Sequence, residues 1–142
     1  MMLDEISAYL ATTYATTTPS LAEGVNLFLS RTQDSPDFCV SLYESPISMG
    51  EYTLDGGKRV WEEINLQIVV REAEYNYLAA RQFIERVTNV LDAVNDVTLS
   101  GTRYIRIRAS STPLPLPTDT QDRVLLSVNF HIIKDLSAVS SP

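Results

Sequence analysis

A change of apolar period within residues 59–109 constrains the fold more than any other feature of the chain. Ile64, Leu66, Ile68 and Val70 alternate with Asn65, Gln67 and Val69. Period two places them on one face of a half-buried strand. From Glu72 to Val94 the spacing becomes helical. Ala73, Tyr77, Ala80, Ile84, Val87, Leu91 and Val94 recur in steps of four and three, and Phe83 and Val90 widen the stripe. The opposite face carries Arg81, Gln82, Glu85, Arg86, Asn89 and Asp92. That pattern predicts an amphipathic helix over 72–94, with Asn95-Asp96 as its stop. Alternation returns in 104–109, so the helix reads as a long crossover between two strands of one sheet. If those strands are adjacent and parallel, the connection is right-handed. Each Val, Leu, Ile or Phe fully buried under that helix contributes roughly 1.5–3 kcal/mol.

The flanking segments complete an α+β reading. Residues 1–15 predict a short helix with Leu3, Ile6, Tyr9 and Leu10 on one side, with Pro19 as a stop. Asp4 and Glu5 in its first turn suit the positive end of the helix dipole. Short strands are expected at 24–29 and 38–43, separated by the turn Gln33-Asp34-Ser35-Pro36-Asp37. The last strand spans 124–133, with Leu126, Val128, Phe130 and Ile132 facing inward. The expected fold is a mixed β-sheet with the crossover helix and the short N-terminal helix packed on one face. Residues 1–142 are expected to form a single domain, with long loops at 44–58 and 110–122 and a frayed tail at 136–142. In the second loop, Pro113-Leu114-Pro115-Leu116-Pro117 favours an extended arm.

Composition removes several function classes. The 142 residues carry a net charge of −7, unevenly spread. Residues 1–58 hold eight acidic and two basic side chains, and residues 59–142 hold ten and nine. That balance disfavours tight nucleic-acid binding through phosphate neutralisation. No stretch reaches the roughly 20 apolar residues that span a bilayer, and the N-terminus lacks a basic leader and apolar core, so a cytosolic product is expected. Cys39, the single cysteine, lies in Phe38-Cys39-Val40 and reads as a small buried hydrophobe.

Catalytic and metal motifs are scarce. His131 is the only histidine, at an alternating strand position, and reads as an outward-facing or hydrogen-bonded residue. One His and one Cys do not make a structural zinc site, which takes four N/S ligands. Gly56-Gly57-Lys58 lacks the rest of a phosphate-binding loop. Glu62 and Glu63 are adjacent in a strand and point to opposite faces. No catalytic, cofactor or metal residue is therefore assigned. Arg103, Arg106 and Arg108 admit two main readings, a solvated outer face or a subunit contact with the acidic first 58 residues; nucleic-acid binding is a third.

The segment order resembles the tail terminator proteins of long-tailed bacteriophages, also termed tail completion or minor capsid proteins. The likeness rests on Leu3-Asp4-Glu5-Ile6 with Tyr9-Leu10, Asn26-Leu27-Phe28-Leu29, Asp34-Ser35-Pro36-Asp37 and Leu42-Tyr43-Glu44. It continues in Ile68-Val69-Val70-Arg71, Leu99-Ser100-Gly101-Thr102-Arg103-Tyr104 and Ser127-Val128-Asn129-Phe130. The resemblance implies a non-enzymatic virion protein at the head-proximal end of the tail, made in the host cytoplasm and without a cofactor. Such a protein forms a ring, usually six-fold, that caps the tail tube protein, stops its polymerisation and meets a head completion or connector protein. DNA passes through its lumen without specific binding. On this reading Arg103, Arg106, Arg108, Glu62 and Gln67 are candidates for the ring interface. Met49, Tyr52 and Leu54 in the first loop and Leu114 and Leu116 in the second are candidate tube or connector contacts. A neighbouring head–tail connector component and a small-ligand-binding domain are the alternatives.

Overall fold

The computed structural model describes residues 2–14, 20–48 and 61–135. The elements are α1 (Met2–Thr13), β1 (Leu27–Leu29), β2 (Cys39–Ser48), β3 (Trp61–Glu72), α2 (Tyr77–Asp92), β4 (Asn95–Leu99), β5 (Thr102–Ala109), β6 (Leu114–Leu116) and β7 (Val124–Asp135). They form a mixed seven-stranded sheet in the order β1-β2-β3-β7-β5-β4, with β6 paired to β7. Among the described strands, β1 and β2 pair in parallel and the other pairings are antiparallel.

The predicted alternation in β3 sets the sheet's two faces. Ile64, Leu66, Ile68 and Val70 are buried and lie in register with Ile132, Phe130, Val128 and Leu126 of β7, which are also buried. α2 covers this face with Ala80, Phe83, Ile84, Val87 and Leu91. Met2, Leu3, Ile6 and Leu10 of α1 join the same core cluster. Phe83 sits at its centre, edge-on to Phe38 at 5.1 Å and tilted against Tyr14 at 5.4 Å.

The helix is not a crossover between neighbouring parallel strands. β7 stands between β3 and β5, and α2 leads into β4, which runs antiparallel to β3. The twelve-residue register of β3 with β7 satisfies a full length of backbone and claims the position beside β3. That pairing also carries β3 to Glu72, and Tyr75 turns the chain at φ 69°, so the helix starts at Tyr77 rather than 72. β4 lies where a helix stop is expected. It forms a tight hairpin with β5 through Ser100 (φ 50°) and Gly101 (φ 86°), the paired positive angles of a two-residue hairpin turn.

Two loop expectations also change. β2 continues through Pro46 to Ser48, pairing with β3 across a register shift, so the first loop starts later than 44. Its candidate contacts Met49, Tyr52 and Leu54, like the tail at 136–142, lie outside the described residues. The Pro-Leu arm is extended as expected, and its three central residues add a strand to β7. Pro115 has no N–H to give, and an edge strand tolerates that.

Candidate assembly surface

The face of the sheet away from the helices is built from the odd residues of β3 and their register partners. Glu63 aligns with Ile133 and Arg106, Asn65 with His131 and Arg108, and Gln67 with Asn129 and Tyr43. Strand geometry alone puts these groups side by side, because paired residues share a face. In the middle rows Tyr43, Glu44, Ser45, Asn65, Gln67, Ser110 and Asn129 line a groove of about 440 Å³. Its amides and hydroxyls both donate and accept hydrogen bonds. Such a lining suits a polar partner surface. Among the described residues no group of three or more His, Cys, Asp and Glu is placed to hold a metal ion.

His131 makes a hydrogen bond through Nε2 with Glu63 Oε1 at 2.9 Å, the hydrogen-bonded strand role expected for it. The three arginines separate. Arg103 is engaged within the chain, donating from Nε to Asp96 at 2.5 Å and from Nη1 to Asp135 at 3.1 Å. Arg106 and Arg108 are exposed and make no ion pair with any described residue. Gln67 shares their face, whereas Glu62 aligns with Lys134 on the helix side. The five candidate interface residues thus do not form one patch. Arg106, Arg108 and Gln67 do share a face.

At the opposite corner of the same face lie two arginines that sequence reasoning passed over. Arg71 is 3% and Arg123 is 4% exposed. Arg71 donates from Nη2 to Pro36 O at 2.8 Å and from Nε to Asp37 O at 3.2 Å. Arg123 donates from Nε to Asp119 Oδ2 at 2.8 Å and from Nη1 to Asp34 O and, at 3.4 Å, to Asp37 Oδ1. The Arg123 and Gln121 backbone N–H groups and the Arg123 guanidinium bond to Asp119 and hold its carboxyl below the usual carboxylate range. Thr32 Oγ1 bonds Tyr43 Oη at 2.7 Å and Ser41 Oγ at 3.0 Å, seating the segment on the sheet. Arg123 also lies 3.9 Å from the Asp34 carboxylate and 3.4 Å from that of Asp37, yet the Asp34 and Asp37 side chains remain 94% and 61% exposed. Cys39, in register with Arg71, is buried as expected, and burial pushes its thiol up. The sequence signals were present: Arg71 ends the alternating strand, and Asp119 precedes Arg123 by four residues.

Apolar side chains are exposed at the β6 end. Leu114 and Leu116 are 49% and 36% exposed, and Tyr75 and Leu78 near the start of α2 are 91% and 68% exposed. Arg81 on α2 donates to Pro113 O at 3.4 Å, tying the arm to the helix.

The profile of the bacteriophage tail terminator protein family matches residues 7–136. The chain belongs to that family. This terminator-family protein also resembles a chain of the virion of a native gene transfer agent particle. The TM-score is 0.59 at 16% identity, over 79% of this chain and 80% of that one. A second solved structure matches with a TM-score of 0.52 at 14% identity, over 92% of each chain. At such identities the likeness speaks for the shared fold. No curated protein sequence matches the chain. Family membership makes it a structural component of a phage tail, as the resemblance implied.

Proposed function

We propose that this protein closes a ring of its own copies on the last layer of tail tube protein and halts tube growth. It then offers its outer surface to the head completion or connector protein, at the head-proximal end of the tail. The observation that supports the reading, beside family membership, is a sheet face that no described helix covers, with an amide-rich groove and with Arg106 and Arg108 in no ion pair among the described residues. Arginine and tyrosine together with amides suit a buried protein contact, and such a face otherwise stays half wet. Leu114 and Leu116 on the arm, with Tyr75 and Leu78, are proposed to meet the tube or connector, since exposed apolar side chains at one end favour a partner. DNA crosses the lumen without specific binding, in keeping with the net charge of −7.

Deleting the gene tests the reading. Tails are expected to overrun their normal length and fail to join heads. Tails of unaltered length refute it, and headless tails of normal length point to a neighbouring connector component instead.

A further inference from the structure

The proposed ring leaves open which surfaces meet. The face that no described helix covers carries opposite charge at two diagonal corners. One holds Arg106 and Arg108 on β5, exposed and unpaired among the described residues. The other holds Asp34 and Asp37, whose carboxylates lie 3.9 and 3.4 Å from the buried Arg123 guanidinium yet stay 94% and 61% exposed, on a loop pinned by Arg71 and Arg123. From β2 to β5 is three strand steps, and from the Arg71 row to the Arg108 row is six residues along β3. At about 4.8 Å per strand and about 3.3 Å per residue, the corners lie roughly 25 Å apart. No side chain spans that distance, so the two corners do not neutralise each other within one chain.

We infer that the Arg106–Arg108 corner of one copy docks on the Asp34–Asp37 corner of a second copy of this chain. The inference rests on the ring reading above and names its contact. Arg71 and Arg123 hold the acidic loop in shape before docking, so little ordering entropy is lost on contact. Arginine suits the role because its planar fork can meet a carboxylate with two parallel hydrogen bonds. If each corner meets its opposite on a different copy, the contact is heterologous, the type that closes rings; if both corners pair with the same copy, it is a two-fold dimer.

Sedimentation velocity and native mass spectrometry of four samples test this: the parent chain, Arg106→Glu/Arg108→Glu, Asp34→Lys/Asp37→Asn, and an equimolar mixture of the two variants. The parent is expected to form a closed oligomer. Each variant alone should associate at least about tenfold more weakly, because like charges then face each other. The mixture should recover, since the glutamates of one variant meet the lysine of the other and the native pair re-forms at the alternate contact. Matching melting curves check the fold. Should the acidic-corner double variant melt early, Asp34→Lys alone carries the test, since that side chain is 94% exposed. If both variants associate like the parent, the contact is wrong and the ring stands. If both dissociate and the mixture stays dissociated, the pairing is likewise overturned. If the parent stays monomeric even on tail tubes, the ring reading itself fails and the contact falls with it.

Discussion

Tyr104→Phe isolates one buried hydrogen bond between the first helix and β5. Glu5 on α1 is 8% exposed and receives the Tyr104 hydroxyl at Oε1, 2.6 Å away, and the Thr102 hydroxyl at Oε2. Phe keeps the buried ring and removes only the donor. A hydrogen bond to a charged group contributes about 1.5–3 kcal/mol net, and a buried acceptor left short of a donor stands at the upper end of that range. With a urea m-value of about 1–3 kcal/mol/M, the unfolding midpoint should fall by about 1 M. The coupling is checked by a double-mutant cycle with Glu5→Leu, in which background Tyr104→Phe should cost close to nothing. A loss below about 0.5 kcal/mol, the size of an ordinary surface change, refutes the reasoning. So does an undiminished loss in the Glu5→Leu background. The same pair sets an alkaline limit. Burial first, and the bond to Glu5 second, push the Tyr104 phenol well above its ordinary value. A raised folded value means the stabilisation is complete below about pH 10, where the unfolded phenol begins to ionise, and is lost as pH climbs toward the folded value. Tyr104→Phe should flatten that alkaline decline.

Asp119→Asn should lower stability at neutral pH and blunt its acid dependence. The native carboxyl is held below the ordinary range, so its contribution is present above about pH 4 and lost as pH falls through the lower folded value; urea titrations between pH 2 and 7 read this. Phe83→Ala removes the ring that meets Phe38 and Tyr14 and should cost about 3–5 kcal/mol by the same method. Arg71→Met strips donors from the Pro36 and Asp37 carbonyls, so amide exchange in residues 31–37 should quicken while exchange in β3 and β7 changes less. Leu114→Ser with Leu116→Ser should leave the melting curve nearly unchanged, both side chains being exposed, yet weaken capping of tail tubes in a length assay.

Periodicity made the core legible. β3, α2 and β7 were all readable because each keeps one spacing long enough to outweigh local exceptions, and the inward residues of β3 and β7 are buried as the alternation required. Topology was less readable. Nothing in residues 59–109 says that a strand from 124–135 inserts between its two ends, because that depends on a long-range register match. β4 escaped notice because four of its five residues are exposed and carry no alternation, leaving only the Ser100-Gly101 turn as a sign. The surface was legible in part. Arg106 and Arg108 follow from alternation beside Ile107, but the engagement of Arg103 by Asp96 and Asp135 depends on where β4 and β7 end. Arg71 and Arg123 were missed because the strand-end position of one and the four-residue Asp119–Arg123 spacing of the other do not reveal the distant turn whose carbonyls they satisfy.

The position of the two charged corners has a consequence for assembly. Because both corners lie on one sheet face, two copies packed face to face around a two-fold axis would satisfy both sets at once, and association would end at a dimer. In the proposed ring the copies instead stand edge to edge, so each contact would use one corner of each copy and leave the other available. Growth then ends only when the last free corner meets the first, which depends on a constant rotation per contact. A mobile acidic loop would let that angle drift and give open chains instead of rings. In the proposed contact, the buried guanidinium groups of Arg71 and Arg123, which tie the loop's carbonyls to the sheet, would keep the angle constant. Arg71→Met should therefore broaden the distribution of assembled masses even though residue 71 lies outside the proposed contact.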